Sequence, residues 1–151
     1  MCIKMLYFAY GSNMGNEQMQ RRCPGSIPMG PAKLANYGLR FDGVSQNWSG
    51  AAVANIEPAT GHEVWGSLYE VGEEHLRSLD RFEHAPVNYR RRLMKVMSTK
   101  MGQREAVAYI RTGRDLGSSN DRYVWEVLKG AIQNRIPIDY LAQIVSKSGV
   151  S

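Results

Sequence analysis

The segment Tyr7-Phe8-Ala9-Tyr10-Gly11-Ser12-Asn13-Met14 constrains this chain more than any other. An apolar, β-prone run stops at Gly-Ser-Asn, and a helical segment begins near Gly15. A glycine at such a junction lets successive N–H groups converge on one concavity, and the helix N-terminus adds partial positive charge. That arrangement suits a carboxylate or a developing oxyanion. The plainer alternative is a strand that ends in an Asn-capped helix.

At 151 residues the chain is expected to form one domain spanning 1–151, burying roughly two thirds of its unfolded surface. No apolar run approaches the ~20 residues of a membrane span, and Met1 to Met5 leads into the first strand without a signal-peptide pattern. Cys2 and Cys23 are too few for a disulfide framework, and no Cys/His cluster has zinc spacing. The expected location is the reducing cytoplasm. Net charge is +5, with Arg90-Arg91-Arg92 the densest basic run. Its surroundings alternate with acids and lack interleaved aromatics, which argues against nucleic acid as the main partner and leaves steering of small anions.

Strands are expected over 5–10, Ala32 to Phe41, Ala51 to Ile56, Glu63 to Val71, Tyr89 to Ser98 and Arg104 to Arg111. Pro58-Ala59-Thr60-Gly61 reads as a hairpin turn. Helices are expected over 15–22, from Gly72 to about Glu83 with Pro86 closing it, and from Asp121 to Asn134. A short helix after Pro137 gives way to a polar tail at Ser146 to Ser151. Strands with irregularly inserted helices indicate an α+β fold whose mixed or antiparallel sheet curls into a small barrel.

The helix ending at Glu83 carries an acid out of place. Leu76 and Leu79 define its apolar stripe, and Glu83 lies between them in angle on a helical wheel. A carboxyl group aimed at a core or cleft has its pKa raised and is poised as a general acid/base. The alternative is an exposed residue in a frayed last turn. Asp80 sits at the stripe's edge as a structural acid, and His62, His75 and His84 read as surface histidines. Ser12 lacks a Gly-x-Ser-x-Gly elbow, so it reads as a hydrogen-bonding group rather than a nucleophile.

Together these segments resemble the γ-glutamylcyclotransferase family. Tyr7 to Met14 is similar to its signature, and Ser78-Leu79-Asp80-Arg81-Phe82-Glu83 to the segment bearing its catalytic glutamate. Trp48-Ser49-Gly50 and Glu63-Val64-Trp65-Gly66 match core segments in the same order, and the likeness runs from about Met5 to about Pro137. The resemblance implies a small mixed β-barrel flanked by helices. It implies a cytoplasmic transferase or lyase of glutathione metabolism, monomeric or homodimeric, that needs no cofactor and no metal. The α-amine of a γ-glutamyl amino acid or amine would attack its own γ-carbonyl, releasing 5-oxoproline and the free amine. Glu83 would be the general acid/base; Tyr7, Tyr10, Gly11, Ser12, Asn13, Tyr89, Tyr109 and Tyr123 would bind the small γ-glutamyl substrate. Two readings stand beside it: the same chemistry on a specialised γ-glutamylamine or biosynthetic intermediate, and a non-catalytic ligand-binding domain. The chain departs from the family pattern at Arg90-Arg91-Arg92 and at the turn His84-Ala85-Pro86, where a glycine-led turn is expected.

Overall fold

A computed structural model describes residues 4–85 and 88–150. Cys2 and the expected helix stop at Pro86 lie outside the described residues. The elements run β1 (Met5–Ala9), α1 (Asn16–Arg22), β2 (Ile27–Ser45), β3 (Ala51–Val71), α2 (Glu73–Glu83), β4 (Arg90–Ser98), β5 (Gly102–Ile110), α3 (Asp121–Gln133) and α4 (Ile138–Ser148). The strands close a barrel in the order β1-β3-β2-β4-β5. β1 is antiparallel to β3 and parallel to β5, where Tyr7 opposite Val107 completes the ring. Closure leaves Phe8, Phe41, Leu68 and Val64 fully enclosed, and burial of such side chains stabilises by about 2 kcal/mol each.

Two strand expectations are corrected. The segments 51–56 and 63–71 form one strand, and Pro58 to Gly61 is not a hairpin turn. Ala35 pairs with Glu63 and Tyr37 with Pro58, so residues 59–62 bulge opposite Asn36 alone. Asn36 accommodates this with φ +64, and its Oδ1 accepts from the Gly61 N–H at 3.1 Å. The real hairpin turn is the 3₁₀ segment Gln46–Trp48 with Ser49 (φ +56) and Gly50 (φ +82), so β2 runs past Phe41 to Ser45, and at its other end pairing of Ile27 with Glu70 starts it before Ala32. At the C-terminus, α4 continues through Ser146 to Ser148, where a polar tail was expected. No helix among the described residues is long and apolar enough to cross a membrane.

α2 packs as its stripe dictates, with Leu76 and Leu79 fully buried. His75 is also buried, contrary to the surface reading: its Nδ1 accepts from the Gly72 N–H at 3.0 Å, and its Nε2 lies 2.7 Å from the Pro24 carbonyl. It organises the helix start, a role a three-residue back-contact serves when the N-cap is glycine. Arg91 forks onto Asp80 through Nε at 2.8 Å and Nη2 at 2.6 Å, which occupies the middle of the arginine run in holding β4 to α2.

Candidate active site

β1 ends at a 3₁₀ turn, Ser12–Met14, closed by the Met14 N–H donating to Gly11 O at 3.1 Å. Asn13 does not cap α1, whose N-cap is Gly15. Instead its Nδ2 donates to Tyr7 Oη at 3.0 Å, and its Oδ1 accepts from Gln18 Nε2 at 2.9 Å and Arg22 Nη1 at 3.1 Å. Gln18 gives its second proton to Ser12 Oγ at 2.7 Å. Two residues of α1 thereby fix the turn in one rotamer state. Gly11 serves by its size: a Cβ there would lie 3.0 Å from Tyr123 Oη and 3.3 Å from Ala54 Cβ. The resulting concavity can take an anionic or carbonyl oxygen.

Glu83, in the last turn of α2, faces the same cleft and is partly buried. Burial raises its carboxyl, and the charges of Arg22 and Arg111 pull only partly against that, leaving a pKa of about 7. Desolvation therefore wins over two cations, and the group can both accept and return a proton near neutrality. The next residue, His84, carries φ +54 at the helix end. A Cβ in that region costs about 1 kcal/mol. His84→Gly is expected to raise stability by up to about 1 kcal/mol in denaturant unfolding; a loss of stability would mean that the imidazole holds the rim.

Tyr7, Tyr10, Tyr89, Tyr109 and Tyr123 complete the walls. Tyr10 donates to the Tyr109 carbonyl and Tyr89 to Ala54 O at 3.1 Å, while Tyr123 Oη accepts the Ala54 N–H at 2.9 Å. Tyr7 and Tyr123 accept through oxygen in these contacts, which frees their hydroxyl protons for a ligand. The Tyr109 ring lines the cleft, but its hydroxyl donates to Asp80 Oδ1 at 2.6 Å and so points at the α2–β4 link. Burial raises the Asp80 carboxyl, but the hydrogen bonds from Arg91 and Tyr109 outweigh it and hold the group below its usual range. Burial, with the Glu83 charge adding to it, pushes Tyr7, Tyr10, Tyr89 and Tyr123 upward, so all four are neutral. Cys23 is buried and pushed up to about 11, which removes it as a nucleophile.

Sequence reasoning missed Arg22, Trp48 and Arg111, which also line the cleft. A signal existed for Arg111: it ends the apolar run Ala106 to Ile110, where a charge is out of place. Trp48 lies edge-on to Tyr123, with centroids 5.0 Å apart, and was legible only as part of a matching segment.

The family model described as "Gamma-glutamyl cyclotransferase, AIG2-like" matches residues 7–127. The chain is 29% identical over 146 residues to a γ-glutamylcyclotransferase of Bos taurus, covering 93% of this chain and 77% of that protein. Against the Homo sapiens γ-glutamylcyclotransferase it is 29% identical over 144 residues, covering 89% and 74%. A solved structure named "Gamma-glutamyl cyclotransferase" superposes with a TM-score of 0.90 at 27% identity, over 96% of this chain and 88% of that one. With the match running from the first barrel strand into α3, this chain belongs to the γ-glutamyl cyclotransferase, AIG2-like family.

Proposed function

We propose that this enzyme converts a γ-glutamyl amino acid or amine to 5-oxoproline and the free amine, with Glu83 as general acid/base. The observation that carries the reading is a single desolvated carboxyl of pKa about 7 facing the same cleft as the Gly11–Asn13 turn. The turn and the hydroxyls of Tyr7 and Tyr123 hold the glutamyl half and the oxygen that gains charge. Glu83 takes a proton from the α-ammonium, and the freed nitrogen attacks the γ-carbonyl carbon. As the tetrahedral centre collapses, the amide C–N bond breaks. The attacking nitrogen gives up its second proton to become the lactam N–H, and the leaving nitrogen gains the two protons so released, relayed by Glu83, and departs as the protonated free amine. One amide replaces another with no change in oxidation state, so the reaction calls for no cofactor. Because attack is intramolecular, what the protein must supply is a curled conformer and a proton path. The same reading places the work in glutathione-related metabolism of the cytoplasm, done by one domain spanning 1–151.

The test is 5-oxoproline release from a panel of γ-glutamyl amino acids and amines. Release from amines alone would point to the specialised γ-glutamylamine reading, and no release from any would favour a binding domain. The pH dependence follows from Glu83. The base must be ionised, so kcat/KM should rise about tenfold per pH unit below pH 7 and level off above it. A profile flat between pH 5.5 and 8 would remove Glu83 from the proton path.

A further inference from the structure

Arg111 follows β5 and is only 7% exposed, yet its side chain lines the cleft. Asn55 fixes its backbone from both sides: the Arg111 N–H donates to Asn55 Oδ1 at 3.2 Å, and Asn55 Nδ2 donates to Arg111 O at 2.8 Å. The guanidinium lies over the Tyr89 ring, 4.9 Å from its centroid. Gly43, at φ +70, makes the room: a Cβ there would stand 3.2 Å from the guanidinium carbon and both terminal nitrogens.

Among the described residues this guanidinium forms no ion pair, and its Nε is buried without a hydrogen-bond partner. Burying such a charge unpaired is costly. Neither nearby acid among the described residues pairs with it directly: Asp42, whose carboxyl feels the Arg111 charge, is held through Oδ2 by Arg40 at 2.9 Å and Asn55 at 2.8 Å and keeps Oδ1 without a hydrogen-bond partner, and Glu83 is the group that must change protonation. The second cation of the cleft, Arg22, belongs to the turn, donating to Asn13 and lying 4.4 Å over the Phe82 ring. The cleft thus has one guanidinium tied to the Gly11–Asn13 wall and another tied to the β2–Tyr89 wall.

Resting on the cyclotransferase reading above, we propose that Arg111 binds the carboxylate of the leaving group, making a γ-glutamyl α-amino acid the preferred substrate over a γ-glutamyl amine. A planar guanidinium with its stem and ring face already packed presents its terminal N–H groups to a carboxylate in the two-pronged geometry that favours this pair.

γ-Glutamylalanine and γ-glutamylethylamine differ only by that carboxylate. The wild-type kcat/KM is expected to favour γ-glutamylalanine by about 30-fold, within the range of a charge-assisted hydrogen bond. Arg111→Met should bring the ratio to within about threefold of unity, mainly through KM for the alanine substrate, and Arg111→Lys should fall between. Three results would overturn the proposal: no wild-type preference, a preference intact in Arg111→Met, or equal losses on both substrates, which would assign Arg111 to the glutamyl half. The wild-type ratio stands whether or not the variants fold. Absence of 5-oxoproline from both substrates would overturn this proposal, and absence from the whole panel would overturn the cyclotransferase reading itself.

Discussion

Glu83→Gln is expected to lower kcat about 10³-fold, with KM changing tenfold at most. Gln keeps the shape and a hydrogen-bond acceptor but cannot carry the proton, and positioned proton transfer contributes typically 10²–10⁴-fold. The upper part of that range applies because one carboxyl serves both the attacking and the leaving nitrogen. A thousandfold is about 4 kcal/mol of barrier, more than the loss of any one neutral tyrosine contact should cause. A variant that keeps kcat within threefold would take the proton path away from Glu83.

The same substitution has an opposite effect on stability, which separates a lost base from a damaged fold. Glu83 is raised from 4.5 to about 7 in the folded protein, so the folded state holds its proton more tightly than the unfolded chain. The sign follows: stability from this group is fully present below pH 4.5 and is lost as pH rises to 7. Gln escapes that loss. The variant's stability relative to wild type should therefore grow by up to about 3 kcal/mol between pH 4.5 and 8, some 5–10 °C in Tm at the alkaline end. Equal pH dependence in both proteins would mean that the carboxyl is not desolvated.

That acid was legible because the helical period forces Glu83 onto the face of Leu76 and Leu79, whatever the helix packs against. The Gly11–Asn13 turn was legible for a similar local reason, as an abrupt end to an apolar strand. What stayed hidden depends on contacts distant in sequence. Pro58 and Gly61 look like turn residues, yet pairing with β2 carries β3 through them as a bulge opposite Asn36. The true turn, Gln46–Trp48, lies in the stretch left between two expected strands, where no local signal marked it as a hairpin. His75 looks like any histidine in a charged helix until Pro24, 51 positions away, is brought to its ring. Arg22 and Arg111 belong to the cleft only because α1 and β5 end at the same rim.

The largest stability effect should come from a residue behind the site. Gly130→Ala is expected to destabilise the fold by about 3 kcal/mol, although alanine favours an α-helix over glycine by about 1 kcal/mol. In α3, a Cβ at Gly130 would lie 2.4 Å from Gly15 N, 2.6 Å from Met14 C and 2.8 Å from Met14 Cβ. The two nearest atoms are backbone, which no rotamer change can move. Nor can the helix retreat freely: Asn134 Nδ2 donates to Met14 O at 3.0 Å and Asn16 N–H to Gln133 Oε1 at 3.1 Å, while Tyr69 Oη of β3 donates to the same Met14 oxygen at 2.8 Å and anchors it to the barrel. Either α3 lifts and strains these bonds, or Met14–Gly15 shifts and carries Ser12 and Asn13 with it. Overpacking of this kind costs typically 1–3 kcal/mol, and the unyielding backbone puts this case at the upper end, with Tm lower by about 6–10 °C. Because the turn is built on Met14 and Gly15, turnover of the folded fraction should also fall, unlike the loss expected from a remote cavity. An unchanged or higher denaturant midpoint would show that α3 can slide. The Gly11–Asn13 geometry would then be held by Gln18 and Arg22 alone.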